Sequence, residues 1–545
     1  MRRFGPLLAA VLAATLAAAS LAVFLLVRHA GDELTGPAGT GILSGSGTIA
    51  VVVDARAAGS PISPLIYGVA FAEPSTLRDL GATVDRWGGN ASTRFNWTAG
   101  ADNAARDWEF RNKPSDDPYA FISGALQAKA APIMTIPTIG WVAKNADNGT
   151  RSTGVPAGGG RAVDDKGAIS GYDPSRNRAV TSVSSRPRDP AGGLGPSDHS
   201  VVYQDDFVKQ LNQRFGASGV PYFAMDNEPD AWAQTHTDVH PAEMSYADML
   251  RNYLDYAGAV KDAAPRAQVL APELCCWTSL GYSALDRGTD NFRSHADRSA
   301  HQDVPFLLWW LRQVAAADKA AGRRTLDLLS VHFYPQAEGV YSDASDARTQ
   351  GLRVRATRSL WDSTYTDESW IADQIQLIPR LKRWIADAYP GTGLAITEYS
   401  FGGEKDASGA VAQAAALGIF GREGVTLATA WTHPAVLSAQ GAAFRLYRNY
   451  DGAGSTFGDR SLPARSSGSV AAFAARHSDS GEVDVVLVNE SPNASATVQV
   501  GGPGLTGALQ ARYQITPGST VIDRLPPAQT TTLPPLGMAL LRFGR

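Results

Sequence analysis

From residue 48 onward the chain alternates short, nearly continuous apolar runs with longer stretches whose apolar residues recur at helical spacing. The runs are "PLIYGVAFA", "ATVDRWGGN", "APIMTIPTIGW", "PYFAMDNEPDAW", "QVLAPELCCW", "LDLLSVHFYP", "LAITEYSFGG" and "VTLATAW", eight candidate strands in order. Between them, Tyr246–Ala263, Phe306–Ala321 and Trp370–Tyr389 have the spacing of amphipathic helices. Apolar strands separated by helices indicate parallel strands covered on both faces. Eight such units predict a closed (β/α)8 TIM-like barrel over residues 59–440. An open doubly wound sheet alternates in the same way, but no Gly-rich phosphate loop follows the first strand. Past Gln440 the texture changes to "VDVVLVNE", "SATVQV", "GALQARYQIT" and "MALLRFG", short β-branched runs split by Gly, Pro and Asn. They predict an all-β sandwich over 441–545, which "TIAVVVDA" in 48–58 is expected to complete from the other end of the chain.

Two segments break the alternation. Asn145 to Ser200, between the third and fourth strands, is rich in Gly, Pro, Ser and Asp. As an insertion on the C-terminal face of a barrel it is either a wall of a cleft or a surface loop with no role. At the start, Arg2 and Arg3 precede an uncharged run from Phe4 to Val27, which ends at Arg28. That run is long enough to span a bilayer, and candidate cleavage sites such as Ala17-Ala18-Ala19 lie inside it. Residues 1–30 are therefore expected to be an uncleaved membrane anchor, basic end inside, rather than a cleaved signal sequence. Residues 31–47 form a Gly/Ser/Thr stalk. Under either reading the bulk of the chain is extracytoplasmic, anchored or secreted.

Composition narrows the partners. A net charge of −4, from 49 basic and 53 acidic residues, gives no electrostatic footprint for nucleic acid. The two cysteines are adjacent, Cys275-Cys276, so no disulfide framework staples the fold; two packed thiols are expected there rather than a vicinal disulfide. A monomer is expected.

The chemistry concentrates where predicted strands end. In a barrel, polar residues at the C-terminal ends of strands face the active site. Collected in order they are Arg86, Trp87 and Asn90; Trp141; Asn227 and Glu228; Glu273 and Trp277; His332 and Tyr334; Glu398 and Tyr399; Trp431 and His433. The set is carboxylates, amides and aromatics, without a serine beside a base. Glu228 ends the fourth strand and Glu398 the seventh, roughly opposite across the ring. Paired carboxylates of different acidity are what cleavage of a glycosidic bond requires. A lone strand-end glutamate is as well explained by a buried salt bridge; two of them, each beside a hydrogen bonder, favour a catalytic pair. Trp97, Trp141, Trp232 and Trp277 are candidates to stack on sugar rings, with core packing the competing explanation for each.

Here a family likeness enters. "RWGGNASTRFNW", "DNEPDAWAQTHTDVHP", "HFYP", "RSLWDSTYTDESWI" and "ITEYSFGG" resemble the signature segments of glycoside hydrolase family 44, in the expected order from about Thr48 to the C-terminus. The resemblance implies a (β/α)8 barrel with an attached β-sandwich, endo-β-1,4-glucanase or xyloglucanase activity, and retention of anomeric configuration. It implies Glu228 as acid/base, Glu398 as nucleophile, and Asn227 on the sugar hydroxyl beside the reacting carbon. Arg86, Trp87, Asn90, Trp141, Trp232, Trp277, His332, Tyr334, Tyr399 and Trp431 are the expected substrate-binding set, with Tyr399 or a nearby cation holding Glu398 ionised. No cofactor is expected for catalysis. The family can carry a structural calcium or zinc ion, whose ligands here are unassigned.

Competing readings are the same machinery acting on mannan or xylan, a non-catalytic glycan-binding protein, and a metal-dependent hydrolase built on His236, Asp238 and His240. The last lacks the glutamate of an H-E-x-x-H motif, and Pro241 ends any helix there; a structural cluster orienting the Glu228 loop is expected instead. One local question is sharp. Regular alternation sets Asp226 and Glu228 on one side of the strand and Asn227 on the other. The family likeness requires Asn227 and Glu228 both to face sugar, which takes a bulge or twist at the strand end.

Overall fold

The computed structural model describes residues 47–152, 172–190, 200–342 and 344–545. The expected anchor (1–30) and nearly all of the stalk lie outside the described residues, as do 153–171 and 191–199 of the long insertion. No helix among the described residues is long and apolar enough to cross a membrane.

Eight parallel strands close into a barrel: Gly68–Ala70, Val84–Trp87, Ala131–Ile136, Tyr222–Met225, Gln268–Leu274, Leu328–Phe333, Gly393–Tyr399 and Leu427–Ala430. Each falls on one of the eight apolar runs and pairs with the next in chain order; Thr429 opposite Gly68 shuts the ring. Val84, Ile133, Tyr222, Ala224, Leu270, Leu328, Ala395 and Leu427 form one apolar cluster drawn from seven of the strands. Only the interior of the barrel can gather them, so they fill its floor and fix which residues of each strand point inward. Outward-pointing partners such as Phe223, Val269, Leu329 and Ile396 join the larger core under the helices.

Helices Tyr246–Ala263 and Phe306–Ala321 have the predicted bounds. Ser245 and Asp248 make a reciprocal capping box at the start of the first. Gly322, in a left-handed conformation at φ 66°, ends the second. The third predicted helix begins late, at Leu377 rather than Trp370. Pro379 explains the difference: its ring would collide with the carbonyl four residues back, so Ile375 and everything before it must leave the helix.

The sandwich has two sheets. In one, Ile49–Val53 lies between Ala464–Ser466 and Ala496–Gly501, with Thr530–Leu533 beyond. It runs parallel to Ala496–Gly501, with Val51 opposite Val500, so both ends of the chain build this sheet. The other holds seven strands, including Val470–Arg476, Val483–Asn489, Leu509–Ile515 and Met538–Phe543. A separate apolar core lies between the sheets. Helix Ala407–Glu423, buried along most of its length and rich in Ala and Gly, packs between barrel and sandwich; a Cβ at Gly418 would strike the Phe473 ring.

Candidate active site

The fourth strand ends at Met225, and the next residues leave strand geometry through left-handed backbone at Asp226 (φ 66°) and Glu228 (φ 47°). Such angles are uncommon for side chains other than Gly and mark a backbone held by its surroundings. Asp226 is turned under the neighbouring loop, where its carboxylate accepts from the backbone of Thr138, Ile139 and Asn227. Asn227 and Glu228 consequently both point into the barrel mouth. No bulge is needed; two left-handed residues achieve what regular alternation forbids.

Two further strands are re-aimed at their ends. Ala395 faces inward, so strict alternation would bring in Thr397 and Tyr399 and expel Glu398. The register shifts between Ile396 and Tyr399, and Glu398 turns in beside Thr397. Leu270 faces inward, which would send Glu273 out; a shift between Pro272 and Leu274, with Glu273 at φ 58°, turns it in. His332 needs no such device, being in phase with inward Leu328 and Ser330.

These side chains form one network. Arg86 donates through Nη1 to Glu398 Oε1 (2.7 Å) and through Nη2 to Asn227 Oδ1 (3.0 Å) and Glu273 Oε2 (3.2 Å). The Tyr334 hydroxyl donates to Glu398 Oε2 at 2.7 Å. His332 Nδ1 lies 2.9 Å from Glu228 Oε1 and 3.5 Å from Glu398 Oε2; its Nε2 lies 3.3 Å from Glu273 Oε2. The Thr397 hydroxyl donates to the same Glu273 oxygen at 2.7 Å. Gly89 donates its N–H to Asn227 Oδ1 at 3.1 Å and sits at φ 82° against Trp431, where any Cβ would lie 2.6 Å from the indole. Glycine is required there. Oxygen atoms of Glu228 and Glu398 lie within 4.8 Å of each other, with His332 between.

Burial and charge separate the two carboxyls. Both are nearly buried, at 3% and 5% exposure. Desolvation raises Glu228 to about 7, assisted by the charge of Glu398 and opposed by His332. Glu398 instead accepts from Arg86 on one oxygen and from Tyr334 on the other. Burial alone would lower the His332 imidazole, but the Glu398 charge and the bonds to Glu228 and Glu273 outweigh it and raise His332 to about 10. The arrangement thus sets a carboxyl whose proton is held by burial across a small gap from one that accepts from an arginine and a tyrosine.

Seven of the expected site residues meet here: Arg86, Asn227, Glu228, His332, Tyr334, Glu398 and Trp431, whose ring lies 5.9 Å from the Arg86 guanidinium. Others lie elsewhere. Tyr399 points out of the barrel, fully buried against Phe401 and Phe420, and its hydroxyl accepts from Gln413 Nε2 at 2.8 Å; Arg86 and Tyr334, not Tyr399, hold Glu398. Trp87 is out of phase with Arg86 and packs among Phe71, Phe95 and Phe121. Trp232 is 1% exposed and offers sugar no face; its Nε1 donates to the Asn227 carbonyl at 3.2 Å. Asn90 donates to Asp107 at 3.3 Å. Half-buried Trp141 lies in a small sheet with Ser182–Arg186 and Val201–Tyr203, under the Arg178 guanidinium. Half-buried Trp277 lies under that of Arg380. Sequence reasoning placed Glu273 at the mouth without separating it from its neighbours; it proves to be the third carboxylate of the network.

The histidine cluster is structural. Asp238 takes Arg94 on both oxygens (2.8 and 3.0 Å) and the Thr181 hydroxyl (3.1 Å). His236 is buried and neutral, its pKa well below the usual value through desolvation and the Arg94 charge. His240 packs edge-on against Trp232, which in turn holds the Asn227 carbonyl. Among the described residues, groups of three potential metal ligands are confined to Glu228/His332/Glu398 and Asp230/Cys275/Cys276. The first is occupied by its own hydrogen bonds. In the second the cysteines form a vicinal disulfide, not the expected pair of thiols. Cys275 also donates its N–H to Asp230 Oδ1 at 3.1 Å, so the fifth strand end is tied to the turn after Glu228.

The family model for glycoside hydrolase family 44 matches residues 101–337. Endoglucanase A of Paenibacillus lautus is 29% identical over 552 aligned positions, covering 92% of this chain and 73% of that protein. Among solved structures, the bifunctional glucanase-xylanase CelM2 from a metagenome library is 33% identical with a TM-score of 0.82, covering 91% of this chain and 99% of the other. A Paenibacillus polymyxa xyloglucanase of the same family, solved with xyloglucan, is 27% identical with a TM-score of 0.80, covering 92% and 100%.

Proposed function

The chain belongs to glycoside hydrolase family 44 and is a glycoside hydrolase that needs no cofactor for catalysis, and from that footing we propose that it is an exported, retaining endo-glycosidase of β-1,4-glucan backbones, xyloglucan included. The observation that carries the retaining assignment is the separation of Glu228 and Glu398 oxygens, within 4.8 Å. Inverting enzymes keep the two carboxyls about 6.5–9.5 Å apart to admit a water; retaining enzymes hold them at about 5–5.5 Å.

In the first step Glu398 attacks the anomeric carbon while Glu228 gives its proton to the departing glycosidic oxygen. Arg86 and Tyr334 aim and stabilise the attacking carboxylate. Asn227, whose Oδ1 is fixed by Arg86 and Gly89, presents its amide N–H groups to the sugar hydroxyl beside the reacting carbon. Once Glu398 is esterified its charge is gone, and with it one of the causes that raise Glu228. Glu228 then ionises more readily and serves as base toward the incoming water.

The names of relatives favour a second specificity on the same machinery. CelM2 is called a glucanase-xylanase, and a 28% identical Caldicellulosiruptor saccharolyticus protein, of which this chain spans 35%, a β-mannanase/endoglucanase. Export is supported by the disulfide, which persists in oxidising compartments, with residues 1–30 as the segment that anchors or directs the chain. The test is an assay of purified protein on carboxymethylcellulose, xyloglucan, mannan and xylan, with the anomer of the first product read by NMR. Retained β-configuration on a glucan is expected. Inversion overturns the mechanism, and activity confined to mannan or xylan overturns the substrate.

A further inference from the structure

A third carboxylate lies beneath the pair. Glu273 is fully buried, and its Oε2 accepts from Thr397 Oγ1, Arg86 Nη2 and His332 Nε2, while its Oε1 has no partner among the described residues. Its backbone carbonyl accepts the Glu228 N–H at 3.1 Å. Burying an ionised carboxylate is unfavourable unless its charge is compensated, and the compensating charges here are Arg86 and His332. Both ring nitrogens of His332 face carboxyl oxygens, whereas a neutral imidazole has a single N–H to donate. The groups around the ring are Glu228 from the fourth strand end, Glu273 from the fifth and Glu398 from the seventh. Arg86, from the second, reaches both Glu398 and Glu273, and Tyr334, just past the sixth, reaches Glu398.

Resting on the hydrolase mechanism above, we propose that Glu273 is a positioning residue: its carboxylate holds His332 as a doubly protonated imidazolium and locks the Arg86 fork, and through these two cations it sets the protonation of Glu228 and the aim of Glu398. With Glu228 protonated, the charges of Arg86 and His332 balance those of Glu273 and Glu398. Removing the Glu273 charge leaves the site net positive. Ionisation of Glu228 then becomes easier, loss of the His332 proton becomes easier, and the Arg86 fork has one carboxylate anchor instead of two.

The test uses the full chain and Glu273→Gln, which keeps the shape and removes the charge. The variant's alkaline limb of kcat/KM moves down by about one pH unit, and kcat falls about 100-fold through misaimed groups, with KM changed far less. A role confined to packing lowers kcat equally at all pH and leaves the limb in place. Histidine 15N shifts supply the second readout: wild-type His332 stays an imidazolium at pH 8.5, and in the variant it titrates at lower pH. A folded variant with an unmoved limb overturns the proposal. So does a wild-type His332 that titrates near an ordinary histidine, a result obtainable even if the variant does not fold. The 15N titration needs no substrate, so failure of every glycan assay would sink the hydrolase specificity while leaving the control of His332 by Glu273 separately decided.

Discussion

Among the described residues, one cluster in the sandwich and one at the barrel mouth each bring an arginine and a histidine onto carboxylate oxygens, and of these two only the second is a candidate for chemistry. In the sandwich, Asp484 accepts from Arg542 Nε and Nη2 at 2.8 and 2.9 Å and lies 2.7 Å from His477 Nε2. Asp484 and Arg542 are cross-strand partners in an unbroken antiparallel ladder, so regular pairing alone delivers the contact. Both oxygens of Asp484 are saturated and nothing is left over. At the barrel mouth three carboxyls share one arginine and one histidine, on strand ends that depart from regular geometry at residues 226, 228 and 273 and shift register near 273 and 398. Of the described hydrogen bonds, Glu228 uses a single oxygen, Oε1. Burial of charge therefore does not mark a site. Unequal satisfaction, held by irregular backbone, does.

Neutralising one carboxylate in each cluster should have opposite effects. Glu398→Gln is expected to lower kcat by about four orders of magnitude or more and to leave the melting temperature nearly unchanged; a tenfold loss or less would remove Glu398 from the nucleophile's role. Asp484→Ala is expected to do the reverse, destabilising the fold by about 1–3 kcal/mol because half-buried Arg542 loses its two-pronged carboxylate partner and keeps only Glu482 at 3.7 Å as a counter-charge. Urea unfolding measures the loss, while kcat/KM of the folded protein stays within about twofold.

Protonation sharpens the contrast. As the proposed general acid, Glu228 must be protonated to act, and its pKa is raised to about 7, so kcat/KM should fall above about pH 7 rather than above the ordinary glutamate value of 4.5. The stability sign follows the same proton. The folded state retains it where the unfolded chain releases it, so this group's stabilisation is full below about 4.5 and is lost as pH rises toward 7. A pH–rate profile with its alkaline limb near 5 would refute the assignment. A smaller effect is expected from Tyr334→Phe, which deletes one hydrogen bond to the charged Glu398. A kcat loss of about 10- to 100-fold corresponds to a hydrogen bond to a charged group, and unchanged kcat would show that Arg86 alone holds the carboxylate. Least of all, reducing Cys275–Cys276 should lower stability by about 1 kcal/mol, because so short a loop restricts the unfolded chain little; calorimetry with and without reductant measures it.

Much of this was legible in the chain itself. The eight barrel strands, two of the three named helices and the sandwich runs follow from apolar periodicity, because burial on one or both faces dictates which residues alternate. The strand-end position of Glu228, Glu398, Arg86, Asn227, His332, Tyr334 and Trp431 was legible for the same reason. What alternation could not supply was the direction of side chains once the strands stop being regular. Glu273 and Glu398 stand at positions that a regular strand would turn outward, while Tyr399 stands at one that it would turn inward. Their final directions depend on register shifts set by neighbouring strands remote in sequence. Trp232 and Trp87 went to the core for a comparable reason, since an indole's preference for a sugar or for packing is settled by what the fold brings against it. Adjacent cysteines are chemically open to both thiol and disulfide states, and the turn tied to Asp230 accompanies the second. Order along the chain was enough for the barrel, the sandwich and the strand-end positions of the acidic residues. What holds the Glu228 proton is tertiary, because it follows from burial and from the distances to His332 and Glu398, none of which is a property of the chain in order.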